Sequence, residues 1–367
     1  MASSWLSSSF LVFFIASFLS LQCCRCDDLK PPPKHVAFFI FGDSLFDVGN
    51  NNYINTTTSF QANFLPYGET FFKFPTGRFS DGRLIPDFIA KYGNLPLIRP
   101  YLNPKNKFYL HGVNFASAGA DALVDTHQGF VIDLKTQLSY FNKVAKVLKE
   151  ELGHAEAKAL LSRAVYFISI GSNDYPFTTN SSLFRSHSPQ QYVDLVIGNL
   201  TTVIKGIHKN GGRKFAFLGV GPIGCVPTVK ATLLQGKDEC LEEITQLVKL
   251  HNNHLSKTLL QLGKKLEGFV YSYADFYAIA IEVTNNPAKY DFKEGKVACC
   301  GSGPFRGYSS CGGRNGQEYE LCGNPSEYLF FDGSHPSEKA NQLFAQFLWN
   351  GSSEIIRPYN LNVLFHL

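Results

Sequence analysis

Short apolar runs that end at a glycine or a polar turn recur along this 367-residue chain, and they constrain its fold more than any other feature. Four runs are almost uninterrupted, and a fifth, weaker one ends in the sequence SAG. A strand that is apolar on both faces is typical of a parallel sheet with helices on both sides. The runs cover residues 35–41, 112–116, 164–170, 214–220 and 268–273.

Amphipathic helical patterns lie between the apolar runs, with apolar residues at steps of three and four. We predict a last helix that begins at His335-Pro336-Ser337-Glu338, with its proline in the first turn. Alternating strands and helices predict an open α/β fold with a central, parallel sheet of about five strands and right-handed crossovers. The other predicted helices cover residues 83–92, 133–152, 190–208 and 241–266.

The residues that follow these runs are candidate site residues, because ligands bind beyond the carboxyl ends of parallel strands. Ser44, in the sequence GDSL, follows the first run, and DGSHP lies near the C-terminus. A serine hydroxyl needs a base. His335 can supply that base, and Asp332, three residues earlier, can orient its ring. The backbone N–H groups of Ser44 and Gly119 and the side-chain amide of Asn173 are candidate donors to an oxyanion.

In this order, the sequences GDSL, NFASAGA, GSND and YLFFDGSHPSEKAN resemble the GDSL, or SGNH, serine esterases and lipases. GPIGCVP and CCGSGP resemble the secreted plant branch of that family, and the resemblance covers nearly the whole chain after its N-terminal segment. It implies a three-layer α/β/α, flavodoxin-like hydrolase fold. It also implies a catalytic triad of Ser44, Asp332 and His335, with Gly119 and Asn173 in the oxyanion hole. The G-x-S-x-G elbow of α/β-hydrolases is absent.

The resemblance implies that the protein hydrolyses carboxylic esters through an acyl-enzyme, without a metal or another cofactor. The substrate would be a small-molecule, lipid or polysaccharide ester. An acyltransferase that passes the acyl group to a sugar or lipid hydroxyl is an alternative, as is a binding or defence protein that keeps the fold without turnover. Simpler structural roles also exist, since Ser44 and Asp332 can cap helices and Asn173 can stabilise a turn.

Residues 1–26 are predicted to be a signal peptide. Their apolar stretch, residues 10–21, is too short to span a bilayer comfortably, and the chain becomes acidic at Asp27. A retained anchor helix is the alternative, and we expect no membrane span elsewhere. Residues 27–367 are predicted to form one hydrolase domain, since a division would separate Ser44 from His335. We expect a secreted monomer in the extracellular space, the apoplast or the cell wall.

Six of the nine cysteines follow the predicted signal peptide, and an even number in a secreted chain suggests three disulfides. Loop spacing favours a bond between Cys225 and Cys240. A zinc site is the alternative, which the adjacent cysteine pair and the oxidising compartment disfavour. The remaining four would pair locally: Cys299, Cys300, Cys311 and Cys322. Four Asn-x-Ser/Thr sequences predict glycosylation, at Asn55, Asn180, Asn199 and Asn350.

The formal net charge of +4 and the absence of a run rich in Lys and Arg exclude nucleic acid as an expected partner. The segment 60–79 carries seven aromatic residues, and forms either an apolar wall for an acyl chain or a loop pinned to the core. We interpret Asp43 and Asp174 as turn residues near the site, and Asp47 as a residue that shapes the loop after Ser44. The other nine histidines are assigned structural or surface roles.

Overall fold

The computed structural model describes residues 36–106, 108–124, 127–176, 181–309, 311–313 and 316–367. The predicted signal peptide and the sequon at Asn180 lie outside them. Within these ranges the strands are β1 (Phe38–Gly42), β2 (Val165–Ser169), β3 (Lys214–Leu218), β4 (Val270–Ala274), β5 (Glu294–Ala298), β6 (Cys300–Gly301), β7 (Glu320–Leu321), β8 (Tyr328–Phe330) and β9 (Ile356–Pro358). The helices are α1 (Ile85–Tyr92), α2 (Leu134–Leu152), α3 (His154–Arg163), α4 (Ser182–Arg185), α5 (Pro189–Lys209), α6 (Pro227–Thr232), α7 (Glu242–Lys265), α8 (Phe276–Asn285), α9 (Glu338–Asn350) and α10 (Leu361–His366).

The central sheet has five strands in the order β1-β2-β3-β4-β9. The first four are parallel and in register with their neighbours, and β9 pairs antiparallel with β4. The four strong apolar runs therefore form the four parallel strands, as predicted. Because these strands are parallel, their carboxyl ends lie along one edge of the sheet.

The weaker run at 112–116 does not form a strand, contrary to our expectation. It extends beside β1, where the Phe115 N–H donates to the Ile40 carbonyl at 2.8 Å, but only Asn114 pairs with Ile40 as a bridge. The Asn114 side chain also donates to the Phe46 carbonyl at 2.7 Å. Such bonds from a side chain to the backbone compete with a regular ladder. The fifth strand is instead β9, which no apolar run predicted.

Successive residues of each strand point to opposite faces of the sheet and enter two separate cores. In β1, Phe39 and Phe41 pack in the core formed with α2, α5 and α7, whereas Phe38 and Ile40 pack in the core formed with α1, α8 and α9. All four side chains are at most 1% exposed. Helices therefore cover both faces of the sheet, which confirms the predicted three-layer α/β/α arrangement.

Helix α9 begins two residues later than the proline would suggest. Ser337 is its N-cap, and the Ser337 hydroxyl oxygen accepts a hydrogen bond from the Ala340 N–H at 3.3 Å. We had predicted that Pro336 lies in the first turn of this helix, but it precedes the helix. His335 consequently lies on the loop between β8 and α9.

Three disulfides connect the six cysteines of the described chain. Cys225 is bonded to Cys240, as predicted. The other four pair locally, as Cys299–Cys322 and Cys300–Cys311. The adjacent residues Cys299 and Cys300 thus have different partners. The two bonds attach Cys311 and Cys322 to the same short segment of the chain. No helix in the part of the chain described here is long and apolar enough to cross a membrane.

Candidate active site

Ser44 lies in a tight turn directly after β1. The strand ends at Gly42, which has φ of +149° and approaches the Ser169 carbonyl oxygen so closely that a Cβ would collide with it. The Asp47 N–H then closes the turn on the Asp43 carbonyl at 2.9 Å. Ser44 is half-buried, at the carboxyl edge of the sheet where the sequence placed it.

His335 joins Ser44 to Asp332. The His335 Nε2 atom lies 2.8 Å from Ser44 Oγ. On the other side of the ring, Nδ1 lies 2.7 Å from Asp332 Oδ1 and 2.9 Å from Oδ2. A hydroxyl, an imidazole and a carboxylate in one hydrogen-bonded series are what activation of a serine by a base requires.

The carboxylate of Asp332 is buried but well solvated by hydrogen-bond donors. Burial alone would raise its pKa, but the electrostatic interaction with the His335 ring and several hydrogen bonds outweigh burial and hold the pKa of Asp332 below its ordinary value. The donors are the backbone N–H groups of Ser334 and His335, both 2.9 Å from Oδ1, and the Tyr67 hydroxyl, 2.7 Å from Oδ2. An ionised Asp332 keeps the proton of His335 on Nδ1, so Nε2 is free to accept the serine proton.

The aromatic segment 60–79 contributes two residues to the site that sequence reasoning did not single out. Tyr67 binds Asp332, and the Phe79 ring packs on His335 with 4.6 Å between ring centroids. Both side chains are 5% exposed, and Tyr67 also packs against Phe331. The two interpretations of this segment thus both hold in part, since these aromatics are pinned to the core and also line the cavity around Ser44.

Gly119 and Asn173 line the same cavity of about 330 Å³ as the three residues above. All five candidate residues are therefore brought together. Gly119 has φ of +77°, and the Phe60 ring fills the space that a Cβ would need. The Asn173 amide donates one hydrogen to the Ala120 carbonyl at 3.0 Å. Its second N–H is thus available to a ligand.

The segment that follows Ser44 holds the loop that carries Gly119. The Asp47 carboxylate accepts a hydrogen bond from the Ala118 N–H at 2.9 Å, and the Asn51 amide donates to the Ala118 carbonyl at 2.9 Å. We had interpreted Asp47 as a residue that shapes the loop after Ser44. Asp47 and Asn51 also connect the segment after β1 to the Gly119 loop, and they therefore fix the position of that loop relative to Ser44.

His127 is a residue of the site that the sequence did not indicate. It lines the cavity, and its Nδ1 atom lies 2.9 Å from the Gly119 carbonyl oxygen and 3.0 Å from Asp121 Oδ2. Two oxygen acceptors require that Nδ1 carries the proton. The hydrogen bond to Asp121 raises the pKa of His127. No sequence signal could identify this pair, because its partners are set by the turn at Gly119.

Thermal stability is expected to be higher at pH 5 than at pH 8. Burial raises the pKa of Asp43 to about 7 and that of Asp47 to about 6. Above pH 4 the unfolded chain releases these protons while the folded chain keeps them, so stability falls as the pH rises towards 7. His251, whose pKa burial lowers to about 3, opposes this trend below pH 6.5. His251 is a single group, whereas burial raises the pKa of several carboxyl groups, since Asp174 is affected in the same way as Asp43 and Asp47.

Melting temperatures measured across this pH range test the expectation. An Asp43→Asn variant cannot titrate, so its fall in stability between pH 5 and pH 8 should be smaller by on the order of 2 kcal/mol. A wild-type protein that becomes more stable from pH 5 to pH 8 would contradict the assignment of these protons.

Comparison with known proteins gives one consistent family. Residues 38–348 match the family described as GDSL-like lipase/acylhydrolase. GDSL esterase/lipase 1 of Arabidopsis thaliana is 50% identical over 372 residues, which cover 100% of this chain and 99% of that protein. A GDSL lipase of Tanacetum cinerariifolium is 51% identical over 90% of this chain and 87% of its own length. An Arabidopsis thaliana protein named inactive GDSL esterase/lipase-like protein 25 is 36% identical over 90% of this chain and 74% of its own. The chain therefore belongs to the GDSL-like lipase/acylhydrolase family.

Proposed function

We propose that this protein is a secreted serine hydrolase that cleaves carboxylic esters, with Ser44 as nucleophile, His335 as general base and Asp332 as the residue that orients it. The observation that carries the proposal is the hydrogen-bonded series from Ser44 Oγ through the His335 ring to Asp332, with distances of 2.8 and 2.7 Å. The relatives named as esterases and lipases support the reaction class.

In the acylation step, Ser44 Oγ attacks the ester carbonyl carbon while His335 Nε2 takes the hydroxyl proton. The carbonyl oxygen becomes an oxyanion, and the N–H groups of Ser44 and Gly119 and the Asn173 amide donate to it. His335 then gives its proton to the leaving alcohol as the bond between carbon and alkoxy oxygen breaks. The product of this step is an ester between the acyl group and Ser44.

In the deacylation step, a water molecule takes the place of the alcohol. His335 Nε2 takes one proton from this water as its oxygen attacks the acyl carbon, and then returns the proton to Ser44 Oγ. The acyl group leaves as a carboxylic acid. Asp332 stays ionised throughout and stabilises the imidazolium form of His335 in both steps.

Secretion is supported by three features that do not depend on the active site. Residues 10–21 are an apolar stretch of signal-peptide length, the described part of the chain contains three disulfides, and the sequon residues Asn55, Asn199 and Asn350 are exposed. Disulfides persist in oxidising compartments. Expression in a secreting host tests this, because the mature protein should begin near Asp27 and shift on a gel after glycosidase treatment. A retained N-terminus or an unshifted band would contradict secretion or glycosylation, respectively.

A fluorophosphonate probe tests the nucleophile. The wild-type protein should be labelled on the peptide that contains Ser44, and Ser44→Ala should neither be labelled nor hydrolyse p-nitrophenyl acetate. Ser162→Ala is a control, since this half-buried serine of α3 lies outside the catalytic cavity and donates to the Ala159 carbonyl at 3.0 Å. Hydrolysis by Ser44→Ala at the wild-type rate would refute the mechanism. A folded wild-type protein without labelling would favour a binding protein, and ester products with added alcohols would favour an acyltransferase.

The Asn173→Ala variant should lose about 10²- to 10³-fold in kcat, because one donor to the oxyanion is removed. KM should change little, since the oxyanion forms only in the transition state. An Asn173→Asp variant should be impaired at least as strongly, because a carboxylate repels the oxyanion. Steady-state kinetics with p-nitrophenyl acetate measure both constants, and an unchanged kcat in Asn173→Ala would remove this residue from the oxyanion hole.

A further inference from the structure

A smaller cavity of about 60 Å³ adjoins the catalytic cavity. We call it the side cavity. Leu45, Ser172, Ile223, Val226 and Ser334 line both cavities, so the two meet along these residues.

The shared residues place the side cavity directly beside the catalytic groups. Three of them are chain neighbours of the nucleophile, the amide donor and the base: Leu45, Ser172 and Ser334, in that order. Neighbouring Cα atoms are only 3.8 Å apart. A substituent on a carbonyl carbon held at Ser44 Oγ therefore reaches the opening of the side cavity within a few bonds.

The walls of the side cavity are apolar. Phe276 and Ala280 of α8, Phe330 of β8 and Phe344 of α9 line it, together with Pro336. These four residues of α8, β8 and α9 are 3–9% exposed, and they belong to the core that the sheet forms with α1, α8 and α9. Among the described residues that line the side cavity, none is charged.

Two of the three hydroxyl groups that line this cavity, those of Thr284 and Ser334, donate to protein acceptors. Thr284 donates to the Ala280 carbonyl at 2.8 Å, and Ser334 donates to the Thr228 hydroxyl at 3.0 Å. The catalytic cavity is more polar, since Ser59, His127 and Asn173 line it. A hydrocarbon chain therefore suits the side cavity, and the alcohol portion of an ester suits the larger one.

We propose that the side cavity is the acyl-binding subsite and takes a short, unbranched aliphatic acyl chain. This inference rests on the proposed ester hydrolysis. A volume of about 60 Å³ corresponds to about four to six water-sized groups at ~10–15 Å³ each, so the subsite accommodates about five carbons beyond the carbonyl. Each buried methylene should improve kcat/KM about fourfold until the cavity is full.

The experiment compares p-nitrophenyl acetate, butyrate, hexanoate and octanoate. The wild-type kcat/KM should rise on the order of 100-fold from acetate to hexanoate and then level off. Ala280→Leu fills part of the side cavity, so it should lose at least tenfold on hexanoate but less than twofold on acetate. Ala278→Leu is the matched control, because Ala278 lies on the same helix, is half-buried and lines neither cavity, and it should keep the wild-type profile.

A smaller insertion, Ala280→Val, provides the same comparison if the leucine variant does not fold, and should give an intermediate loss on hexanoate. Equal losses on acetate and hexanoate, or an unchanged profile in a folded variant, would overturn the acyl subsite while leaving ester hydrolysis intact. If Ala280→Leu instead discriminates among acetates of longer alkyl alcohols, the side cavity binds the alcohol and the proposal is wrong. A wild-type protein that hydrolyses no ester and is not labelled at Ser44 would overturn the proposed function itself.

Discussion

The His335→Ala variant is expected to lose about 10⁶-fold in kcat for ester hydrolysis, which is close to the loss expected for Ser44→Ala. In the proposed mechanism His335 Nε2 takes the serine proton, and it lies 2.8 Å from Ser44 Oγ. Without this base, the hydroxyl remains a weak nucleophile at neutral pH. Because the three residues act as one unit, the double variant of Ser44 and His335 should be no less active than either single variant.

Stopped assays with a p-nitrophenyl ester at high enzyme concentration can measure such a small residual rate, and circular dichroism verifies that the variant is folded. His208→Ala is a suitable control, because this histidine is half-buried near the end of α5, lines neither cavity and bonds to the Glu267 carbonyl. A kcat within tenfold of wild type in folded His335→Ala would show that another group takes the proton. His127, which also lines the cavity, would then be the first residue to test.

The Asp332→Asn variant is expected to lose about 10⁴-fold in kcat with little change in shape. An asparagine amide can donate to His335 Nδ1, which would stabilise the tautomer that carries its proton on Nε2 and cannot accept one from Ser44. The variant also loses the negative charge that stabilises the imidazolium. Kinetics across pH measure the effect, and Asp194→Asn on the exposed face of α5 is the control.

The Tyr67→Phe variant tests how much the position of the Asp332 carboxylate contributes to kcat when its charge is kept. This variant removes one hydrogen bond, 2.7 Å long, but leaves the carboxylate and both backbone donors in place. We expect a loss of about tenfold in kcat, which is much smaller than that of Asp332→Asn. Equal losses in the two variants would mean that the position of the Asp332 carboxylate, which the Tyr67 hydrogen bond maintains, matters more than its charge.

Local patterns in the sequence predicted the parallel strands and the five candidate residues, because each depends on a few consecutive residues. A buried strand needs only its own apolar run, and a residue at its carboxyl end reaches the site through the topology of the sheet. The strand at β9 has just three residues and is set by pairing with β4, so no run of its own marks it. Asn114 likewise ends a ladder through side-chain bonds that no hydrophobic pattern shows.

The residues that position the site were harder to predict from the sequence, because their roles depend on contacts that form only in the folded chain. Tyr67 bonds to a carboxylate 265 positions away, and the aromatic density of its segment was the only signal. Asp121 and His127 are close in sequence, but their importance depends on the left-handed turn that brings the Gly119 carbonyl to the ring. The chemical groups of a motif are close together in the sequence, whereas the contacts that position them are spread over the chain.

The nucleophile and its base are 291 positions apart, so they come from opposite ends of the described chain. During synthesis the Ser44 turn emerges long before the loop that carries His335, which is followed by α9, β9 and α10. A nascent or C-terminally truncated chain therefore has a serine without a base. The proposed catalytic site therefore forms only when the loop that carries His335 has been made and has folded against the turn at Ser44.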